Sequence, residues 1–260
     1  MLKCCTIASG SKGNCTYIAS NTTTLIVDMG VPITRLEKAL QAFKTNPDQL
    51  SGVLITHTHS DHICGIASLA KKYNTKIYSH KNSAPKLLRQ KIDKNNLLIF
   101  DNTDFFIGDI TVSPFKVSHD VPCVGYSFYC GGLKVSVATD MGEFDKTVVD
   151  AMGESDLAVV ESNYDRTLME QSNYPFHLKQ RIMGKLGHLS NIDCARLLVE
   201  LAKKGTKNFI LAHMSGENNY PELAFDCATT HLQQNGFIEG RDINIYIGTQ
   251  DNISKVIDLY

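Results

Sequence analysis

The stretch Thr56-His57-Thr58-His59-Ser60-Asp61-His62 places three imidazoles and a carboxylate within six residues. It directly follows the apolar run Val53-Leu54-Ile55, which is typical of a buried strand. Divalent transition metals take mixed nitrogen and oxygen ligands of this kind, and catalytic sites leave a coordination position open for water. Because His and Asp rarely cluster so densely for structural reasons, the stretch predicts a metal site rather than a polar surface loop.

The sequence around this stretch alternates short strands with helices. Runs of β-branched and apolar residues predict strands at 3–8, 14–19, 24–28, 52–56 and 76–78, and helical patterns occupy 34–42, 66–73 and 83–89. Ser83 is the predicted N-cap of the last of these helices. Period-2 strands follow at 104–117, 124–129 and 133–138, with Cys130-Gly131-Gly132 as a hairpin turn.

The second half of the chain repeats the alternation. Predicted helices cover 146–152, 174–185, 191–203 and 220–235, and predicted strands cover 157–161, 208–212 and 243–247. Two β-rich halves, each with helices outside, predict an α/β (α+β) fold in which two sheets form an αββα sandwich. No linker or internal repeat divides the 260 residues, so we expect a single domain spanning 1–260.

Composition excludes several classes of protein. With 43% apolar and 20% charged residues the chain can bury a full core, and its net charge of −1 argues against a surface that is basic throughout. The eight cysteines include no C-x-x-C pair and lack the spacing of a secreted disulfide scaffold, so most are expected to be buried free thiols. No apolar run is long enough to cross a membrane, and a cytoplasmic location fits best.

Four further polar residues end apolar runs of the sequence. They are Asp28 after Leu25-Ile26-Val27, His119 after Val117, Asp140 after Ala138 and His213 after Ile210-Leu211-Ala212. With the histidine-rich stretch, their order along the chain resembles the metallo-β-lactamase superfamily. His119, Asp140 and His213, each taken alone, are equally well explained as residues that cap a turn.

That resemblance implies a centre of two divalent ions, zinc or manganese. It assigns His57, His59 and His119 to one ion, Asp61, His62 and His213 to the other, and Asp140 to both. Asp28 would orient the histidines by hydrogen bonding. A water on such a centre loses a proton near neutral pH and becomes the nucleophile.

The branch of the superfamily is indicated by residues beyond the ligands. Asp140 stands where antibiotic hydrolases have a cysteine, which disfavours a lactamase. Glu161 and His188 are placed like the pair of the nucleolytic branch, in which the His protonates the leaving oxygen, and Asp61 joins them among the catalytic residues. The alternative is that His188 caps the helix beginning near residue 191, while Glu161 only ends a strand.

The sequence is similar over nearly its full length to the YycJ/WalJ-like family of proposed DNA exonucleases. The shared features include Ala8-Ser9-Gly10-Ser11-Lys12-Gly13-Asn14-Cys15, Tyr174-Pro175, Gly187-His188-Leu189-Ser190-Asn191 and Asn218-Asn219. Tyr164 departs from the pattern, because a His is expected there. Only about 70 residues separate Asp140 from His213, which leaves no room for a β-CASP insert.

Substrate contacts are predicted in short loops after Asp140. The candidates are Arg166, Lys179, Arg181, Lys185, Asn218 and Asn219. Cations beside Tyr164, Tyr174 and Phe176 suit phosphates and stacked bases, although the same cations also fit the solvated face of a helix. The glycine-rich turn at 9–14 is either a plain hairpin turn or a backbone nest for phosphate.

These features predict a dinuclear phosphodiesterase that cleaves nucleic acid, as a DNA exonuclease. The alternatives are a phosphodiesterase for a small cyclic phosphate, a thioesterase of the same fold, and a metal-binding scaffold without turnover. The scaffold is disfavoured because structural zinc sites are closed and four-coordinate, whereas Asp61 implies an open second position. The sequence does not predict an oligomeric state.

Overall fold

The chain builds two β-sheets, seen here in a computed structural model that describes residues 1–90 and 92–260. The strands are β1 (Leu2–Ala8), β2 (Cys15–Ala19), β3 (Thr24–Val27), β4 (Gly52–Ile55), β5 (Ile77–His80), β6 (Leu97–Phe100), β7 (Phe105–Ile107), β8 (Ile110–Val117), β9 (Cys123–Cys130), β10 (Leu133–Ala138), β11 (Leu157–Glu161), β12 (Asn208–Ala212), β13 (Asn244–Ile247) and β14 (Ile257–Leu259).

Helices connect most of the parallel strands. They are α1 (Ile33–Ala42), α2 (Ser60–Ile63), α3 (Ile66–Tyr73), α4 (Ala84–Leu88), α5 (Lys146–Met152), α6 (Arg166–Gln171), α7 (Phe176–Met183), α8 (Asn191–Lys203) and α9 (Pro221–Gln234), with a short 3-10 helix at Pro47–Gln49. Three helices, α6, α7 and α8, connect β11 to β12, and α8 is the longest. The side chain of its N-cap Ser190 accepts from the backbone N–H of Asp193.

The two sheets have matching designs. In the described residues each has seven strands, in the orders β14-β1-β2-β3-β4-β5-β6 and β13-β12-β11-β10-β9-β8-β7. In the first sheet β3 to β6 are parallel, and in the second β10 to β13 are parallel. Parallel strands are buried on both faces, and β4 and β11 accordingly have no exposed residue.

The sheets pack face to face through apolar side chains from both. Val27 and Leu54 of the first sheet share a cluster with Tyr126, Val159 and Ile210 of the second. Two other clusters join the outer sheet faces to the helices, α1 and α3 on one side and α5, α8 and α9 on the other. The order of layers is helix, sheet, sheet, helix, which confirms the predicted αββα sandwich.

One edge of the sandwich collects the carboxyl ends of the parallel strands. β8 points the same way as β10, because both are antiparallel to β9. Asp28 and His213 directly follow β3 and β12, and Asp140 is the second residue after β10; their φ angles are 61°, 54° and 61°. Asp and His tolerate this left-handed conformation better than bulky residues do, and it turns the chain sharply out of each strand.

Several boundaries differ from the predicted ones. Strand 104–117 is broken at Gly108, whose φ of 57° makes the turn between β7 and β8. The predicted N-cap Ser83 makes no capping bond, because its backbone is already helical (φ −93°, ψ −25°) rather than extended. Its hydroxyl donates to the carbonyl of Pro122. The predicted helix 174–185 is shortened to α7, and β6, β14, α2 and α6 were not predicted.

All eight cysteines are free, and five of them are buried, in keeping with the expectation for most of the thiols. Among the residues that the structure describes, no helix has both the length and the apolar character needed to span a membrane. The single-domain organisation without an insert stays a prediction.

Candidate metal centre and active site

The histidine-rich loop is held by Asp28. The Asp28 carboxylate accepts from the backbone N–H of Thr56 at 2.9 Å, from the Thr56 hydroxyl at 2.7 Å and from His62 Nδ1 at 2.7 Å. Behind the loop, Gly30 packs so closely that a Cβ on it would lie 1.6 Å from the carbonyl oxygen of Asp61. A short polar side chain at the end of β3 therefore fixes the whole loop after β4.

Each of the five candidate histidine ligands has one ring nitrogen held by an oxygen. These contacts are His57 Nδ1 to Thr56 Oγ1 (3.0 Å), His59 Nε2 to Asp120 Oδ1 (3.3 Å), His62 Nδ1 to Asp28 Oδ2 (2.7 Å), His119 Nδ1 to Gly187 O (3.2 Å) and His213 Nδ1 to Glu161 Oε1 (2.7 Å). Metal-binding histidines usually donate their second N–H to such an oxygen, which fixes the tautomer and leaves the other nitrogen as a ligand.

The opposite ring nitrogens converge on the two aspartates. His62 Nε2 lies 3.2 Å from Asp140 Oδ2 and 3.3 Å from Asp61 Oδ2, and His213 Nε2 lies 3.6 and 3.5 Å from the same two carboxylates. His59 Nδ1 and His119 Nε2 are 3.3 Å apart. Ligands about 2.1 Å from a tetrahedral ion are about 3.4 Å from one another, so these spacings fit metal ions.

Buried atoms without a partner point to the same place. In the described part of the chain, His57 Nε2, Asp140 Oδ2 and His213 Nε2 are buried and have no hydrogen bond. A buried polar atom that is left unsatisfied costs about 1–3 kcal/mol, and bound cations would satisfy these three. The residues present therefore fit divalent metal ions.

The candidate ligands form two adjoining groups. In the described residues, atoms that lie within 4.8 Å of one another are found in four sets: His57, His59 and His119; then His57, His62 and Asp140; then Asp140, Glu161, His188 and His213; and last Asp61, His62 and His213. Asp140 Oδ1 lies 3.9 Å from His57 Nε2 and 3.6 Å from His213 Nε2, which places this carboxylate between the first and last sets. The arrangement suits two ions that share one carboxylate.

Glu161 connects this centre to His188. Its Oε1 accepts from Nδ1 of His213 at 2.7 Å and from Nδ1 of His188 at 2.8 Å, while its Oε2 accepts from the backbone N–H of Met141 and of Leu189. Burial raises the pKa of Glu161, but the two rings outweigh burial and hold that pKa below its usual value. One fully buried carboxylate thus orients a candidate ligand and a candidate acid together.

The histidines fall into a first group, His57, His59 and His119, and a second group, His62 and His213. The two groups differ in charge when no ion is bound. Burial lowers the pKa of His57, His59 and His119, so these rings are neutral ligands. Burial also opposes protonation of His62 and His213, but the nearby carboxylates, above all Asp140, outweigh burial. They raise the pKa of His62 well above its usual value and the pKa of His213 to about 10. At neutral pH the second group therefore holds protons that an ion must displace.

Three comparisons with known proteins bear on this geometry. The family model for the β-lactamase superfamily domain matches residues 23–214. Exodeoxyribonuclease YycJ of Bacillus anthracis is 33% identical over 244 residues, covering 92% of this chain and 92% of the relative. Exodeoxyribonuclease WalJ of Streptococcus pneumoniae serotype 2 is 32% identical over 260 residues, covering 97% of this chain and 96% of the relative.

The chain belongs to the metallo-β-lactamase superfamily and, within it, to the YycJ/WalJ family. The fold agrees, because the metallo-β-lactamase fold protein YhfI from Bacillus subtilis superimposes with a TM-score of 0.76 at 18% identity, covering 99% of this chain and 100% of that one.

In this YycJ/WalJ-family chain, an open cavity of about 330 Å³ lies over the metal centre. Its walls include His59, Asp61, Asp140, His188 and His213 from the predicted site, together with Ser11, Ser60, Asn163, Tyr174, Arg181, Ile182 and Ser215. His188 does not cap α8, because Ser190 does so.

Of the predicted substrate contacts, Arg181 alone among the six lines this cavity. The other three cations are engaged elsewhere: the exposed Arg166 pairs with Asp193, the exposed Lys185 pairs with Glu143, and the half-buried Lys179 donates to the carbonyl of Glu170. Their contact with substrate stays a prediction.

The placement of Asn218 and Asn219 corrects the prediction that they contact substrate. Asn218 is fully buried, and Asn219 is 7% exposed. The Asn219 amide donates to the carbonyls of Ser162 and Asn163 and to the side chain of Asn191, so it ties β11 to α8. Side chains buried in this way cannot reach a polymer in the cavity.

The glycine-rich turn between β1 and β2 supports the site from behind. Gly10 N donates to the Asn14 side chain, Gly13 N to the carbonyl of Gly10, and Asn14 N to the carbonyl of Asp61. Ser9 Oγ accepts from His213 N at 2.6 Å. Because these N–H groups already have partners, the geometry favours the hairpin turn over the phosphate nest.

Sequence reasoning missed three polar residues that contact the candidate ligands. Asp120 lies beside His59, Asn163 Nδ2 donates to the carbonyl of His213 at 2.7 Å, and Asn14 Nδ2 lies 3.0 Å from His62 Nε2. Asp120 could have been found, because it directly follows a predicted ligand. Tyr164, where a His was expected, is 3% exposed and packs in the core.

Metal binding is expected to release protons from the second group of histidines. At pH 7.5, calorimetric titration of the metal-stripped protein with Zn²⁺ in buffers of different ionisation enthalpy should show release of about two protons from the rings, one each from His62 and His213. Since their pKa values are raised, affinity for the second ion should fall as pH is lowered, and affinity for the first should change less. Equal pH dependence for both ions would contradict this assignment.

A methyl group at position 187 is expected to displace His188. A Cβ on Gly187 would lie 2.1 Å from the carbonyl oxygen of Ile182 and 2.3 Å from that of Arg181, so the backbone beside His188 must move. We expect Gly187→Ala to lower the turnover rate at saturating metal by roughly 10²-fold, because a displacement of 1 Å has effects of that size. Metal affinity should also fall, because the Gly187 carbonyl holds Nδ1 of the candidate ligand His119.

The matched control for that substitution is Gly216→Ala, whose Cβ would meet no atom within 4 Å. Its turnover should stay within twofold of the unaltered protein. Turnover of Gly187→Ala equal to that of this control would show that His188 needs no such close packing.

Proposed function

We propose that this protein is a metal-dependent exonuclease that hydrolyses phosphodiester bonds at the ends of DNA. The observation that carries the proposal is the pair of adjoining ligand groups around Asp140, with His188 on the wall of the same cavity. The relatives named exodeoxyribonuclease, at 32–33% identity over most of the chain, support the same substrate.

Two divalent ions would activate a water and neutralise charge on the phosphate. We assign them to His57, His59, His119, Asp61, His62, His213 and Asp140, with Asp28 orienting the loop. Imidazole and carboxylate ligands accept both zinc and manganese, and either ion satisfies the proposal.

The protein's own part in the reaction is assigned to His188. Because Nδ1 of His188 donates to Glu161, its Nε2 is the nitrogen left to meet a ligand in the cavity. Cleavage of a phosphodiester expels an alkoxide oxygen, which needs a proton as the bond breaks. We propose that His188 delivers that proton, a role that thioester hydrolysis does not require, because a thiolate leaves without one.

The size of the cavity favours attack at a strand end. About 330 Å³ is at the small end of ligand sites, so the cavity takes in a terminal nucleotide rather than a whole duplex. We further propose that residues 1–260 form one domain. The free thiols fit a reducing compartment, and we place the protein in the cytoplasm.

The test uses two substrates of identical sequence, linear duplex DNA and its closed circular form. Metal-stripped protein with added Mn²⁺ or Zn²⁺ is expected to release mononucleotides from the linear form only, and His188→Ala should slow release by about 10²–10⁴-fold. His177→Ala, which changes an exposed histidine on α7, is the matched control and should cleave normally.

The outcomes separate the alternatives. Hydrolysis of bis(p-nitrophenyl) phosphate without release from DNA would contradict the nuclease and favour a small-molecule phosphodiesterase. Cleavage of a thioester with neither phosphodiester cut would favour the thioesterase, and cutting of the closed circle would show an endonuclease.

A further inference from the structure

Asp120 contacts two residues that line the cavity, His59 and Arg181. Its Oδ1 is 3.3 Å from His59 Nε2 and 3.4 Å from His119 Nε2, and its Oδ2 accepts from Nε and Nη2 of Arg181 at 2.9 and 2.6 Å. The two oxygens of one carboxylate therefore face a candidate metal ligand and a cation on α7. No role has so far been assigned to this residue.

The contact with His59 fixes which nitrogen of that ring can bind an ion. His59 is the most exposed of the five candidate histidine ligands, with a quarter of its side chain accessible. Besides Asp120, the ring has only His119 within polar contact in the described residues, through Nδ1 at 3.3 Å. A carboxylate at Nε2 favours the N–H there, which leaves Nδ1 unprotonated and directed at the first group.

The contact with Arg181 fixes a cation over the same cavity. The Arg181 side chain is 54% exposed on α7, a helix with no fully buried residue, so packing alone does not fix it. Without a partner a long side chain such as arginine samples many rotamers, and fixing it costs conformational entropy. Of the five N–H donors of a guanidinium, Asp120 takes two, and those remaining suit the oxygens of a phosphate.

We propose that Asp120 is a positioning residue, which directs His59 toward the first metal ion and holds Arg181 where it binds a phosphate of the DNA strand. This inference rests on the proposed function, because it names the phosphate contact of that same site. Under this proposal, affinity for the metal ion and affinity for DNA both depend on the Asp120 side chain. A plain surface ion pair would contribute to neither.

The experiment compares Asp120→Ala, Arg181→Gln and the double variant, with Asp101→Ala as an exposed carboxylate control. Zn²⁺ affinity is measured by competition with a chromophoric chelator, and KM and kcat are measured on linear duplex DNA. Asp120→Ala should weaken binding of one Zn²⁺ by about 10–100-fold, whereas Arg181→Gln should leave Zn²⁺ affinity within twofold.

On DNA, both single variants should raise KM by about tenfold, and the double variant should raise it no further than Arg181→Gln does. That non-additivity is the mark of two residues acting as one unit. Asp120→Asn, which keeps one acceptor oxygen, should restore part of both affinities. Asp101→Ala should change neither.

Unchanged Zn²⁺ affinity in Asp120→Ala, or KM effects that add in the double variant, would overturn the proposal. Failure of the proposed function is distinct: the unaltered, metal-loaded protein would then leave DNA intact. In that case the proposed contact between Arg181 and phosphate is rejected together with the nuclease function. The chelator competition still decides whether Asp120 positions His59.

Discussion

Asp140→Asn is expected to lower DNA hydrolysis by about 10³-fold or more and to reduce the bound metal by at least one ion per chain. Asp140 is 1% exposed, and its carboxylate lies within 4 Å of ring nitrogens of His57, His62, His188 and His213. An asparagine has no negative charge and cannot bridge two cations as a carboxylate does. Loss of several kcal/mol of charge stabilisation corresponds to a rate effect of this size.

Metal content by elemental analysis and initial rates on linear DNA measure the two parts of this prediction. Asp150→Asn on α5 is the matched control, since that carboxylate is exposed and pairs with Lys204. Two ions per chain with a normal rate in Asp140→Asn would show that this residue is not shared between ions.

Glu161→Gln is expected to have a comparable effect through a different cause. The carboxylate accepts from His188, His213 and two backbone N–H groups, and an amide in its place offers one acceptor oxygen and two donors. One ring nitrogen or N–H then loses its partner, and both rings lose the neighbouring charge. Combining an oriented ligand worth 10–100-fold with a proton donor worth 10²–10⁴-fold gives a loss of about 10³-fold or more.

Comparing the loss of activity on two substrates identifies the cause. If His188 is the acid, Glu161→Gln should lower cleavage of DNA far more than cleavage of a diester with a p-nitrophenol leaving group, which departs without a proton. Glu170→Gln, at an exposed position on α6, controls for loss of a carboxylate. Equal losses on both substrates would assign Glu161 to the metal ligand alone.

The fold was predictable because its decisive signals are local. The apolar runs before Asp28, Asp140 and His213 are strands, and parallel strands bring their carboxyl ends to one edge, so residues far apart in sequence meet there. The placement of Glu161 beside His188 agreed with the resemblance to the nucleolytic branch. Short strands such as β6 and β14 were not predicted, because each has only three or four residues and depends on pairing with a neighbouring strand.

Parts of the site depend on contacts that no local pattern encodes. Asn219 looked like a polar loop residue, yet it is buried because the helix α8 brings Asn191 against it. The role proposed for Asp120 depends on its contact with Arg181 of α7, which is 61 residues away in the sequence. Side chains that act through a distant partner are therefore harder to predict than ligands, which cluster in sequence or end a strand.

The most direct measurement of the central claim is a titration of the metal-stripped protein with Mn²⁺ or Zn²⁺, following nucleotide release from linear duplex DNA against equivalents of metal bound. We expect no release without metal, full activity near two bound ions per chain, and no recovery in His59→Ala at the same metal concentration. Digestion by the metal-free protein, or full digestion by His59→Ala, would contradict the metal centre on which this account depends.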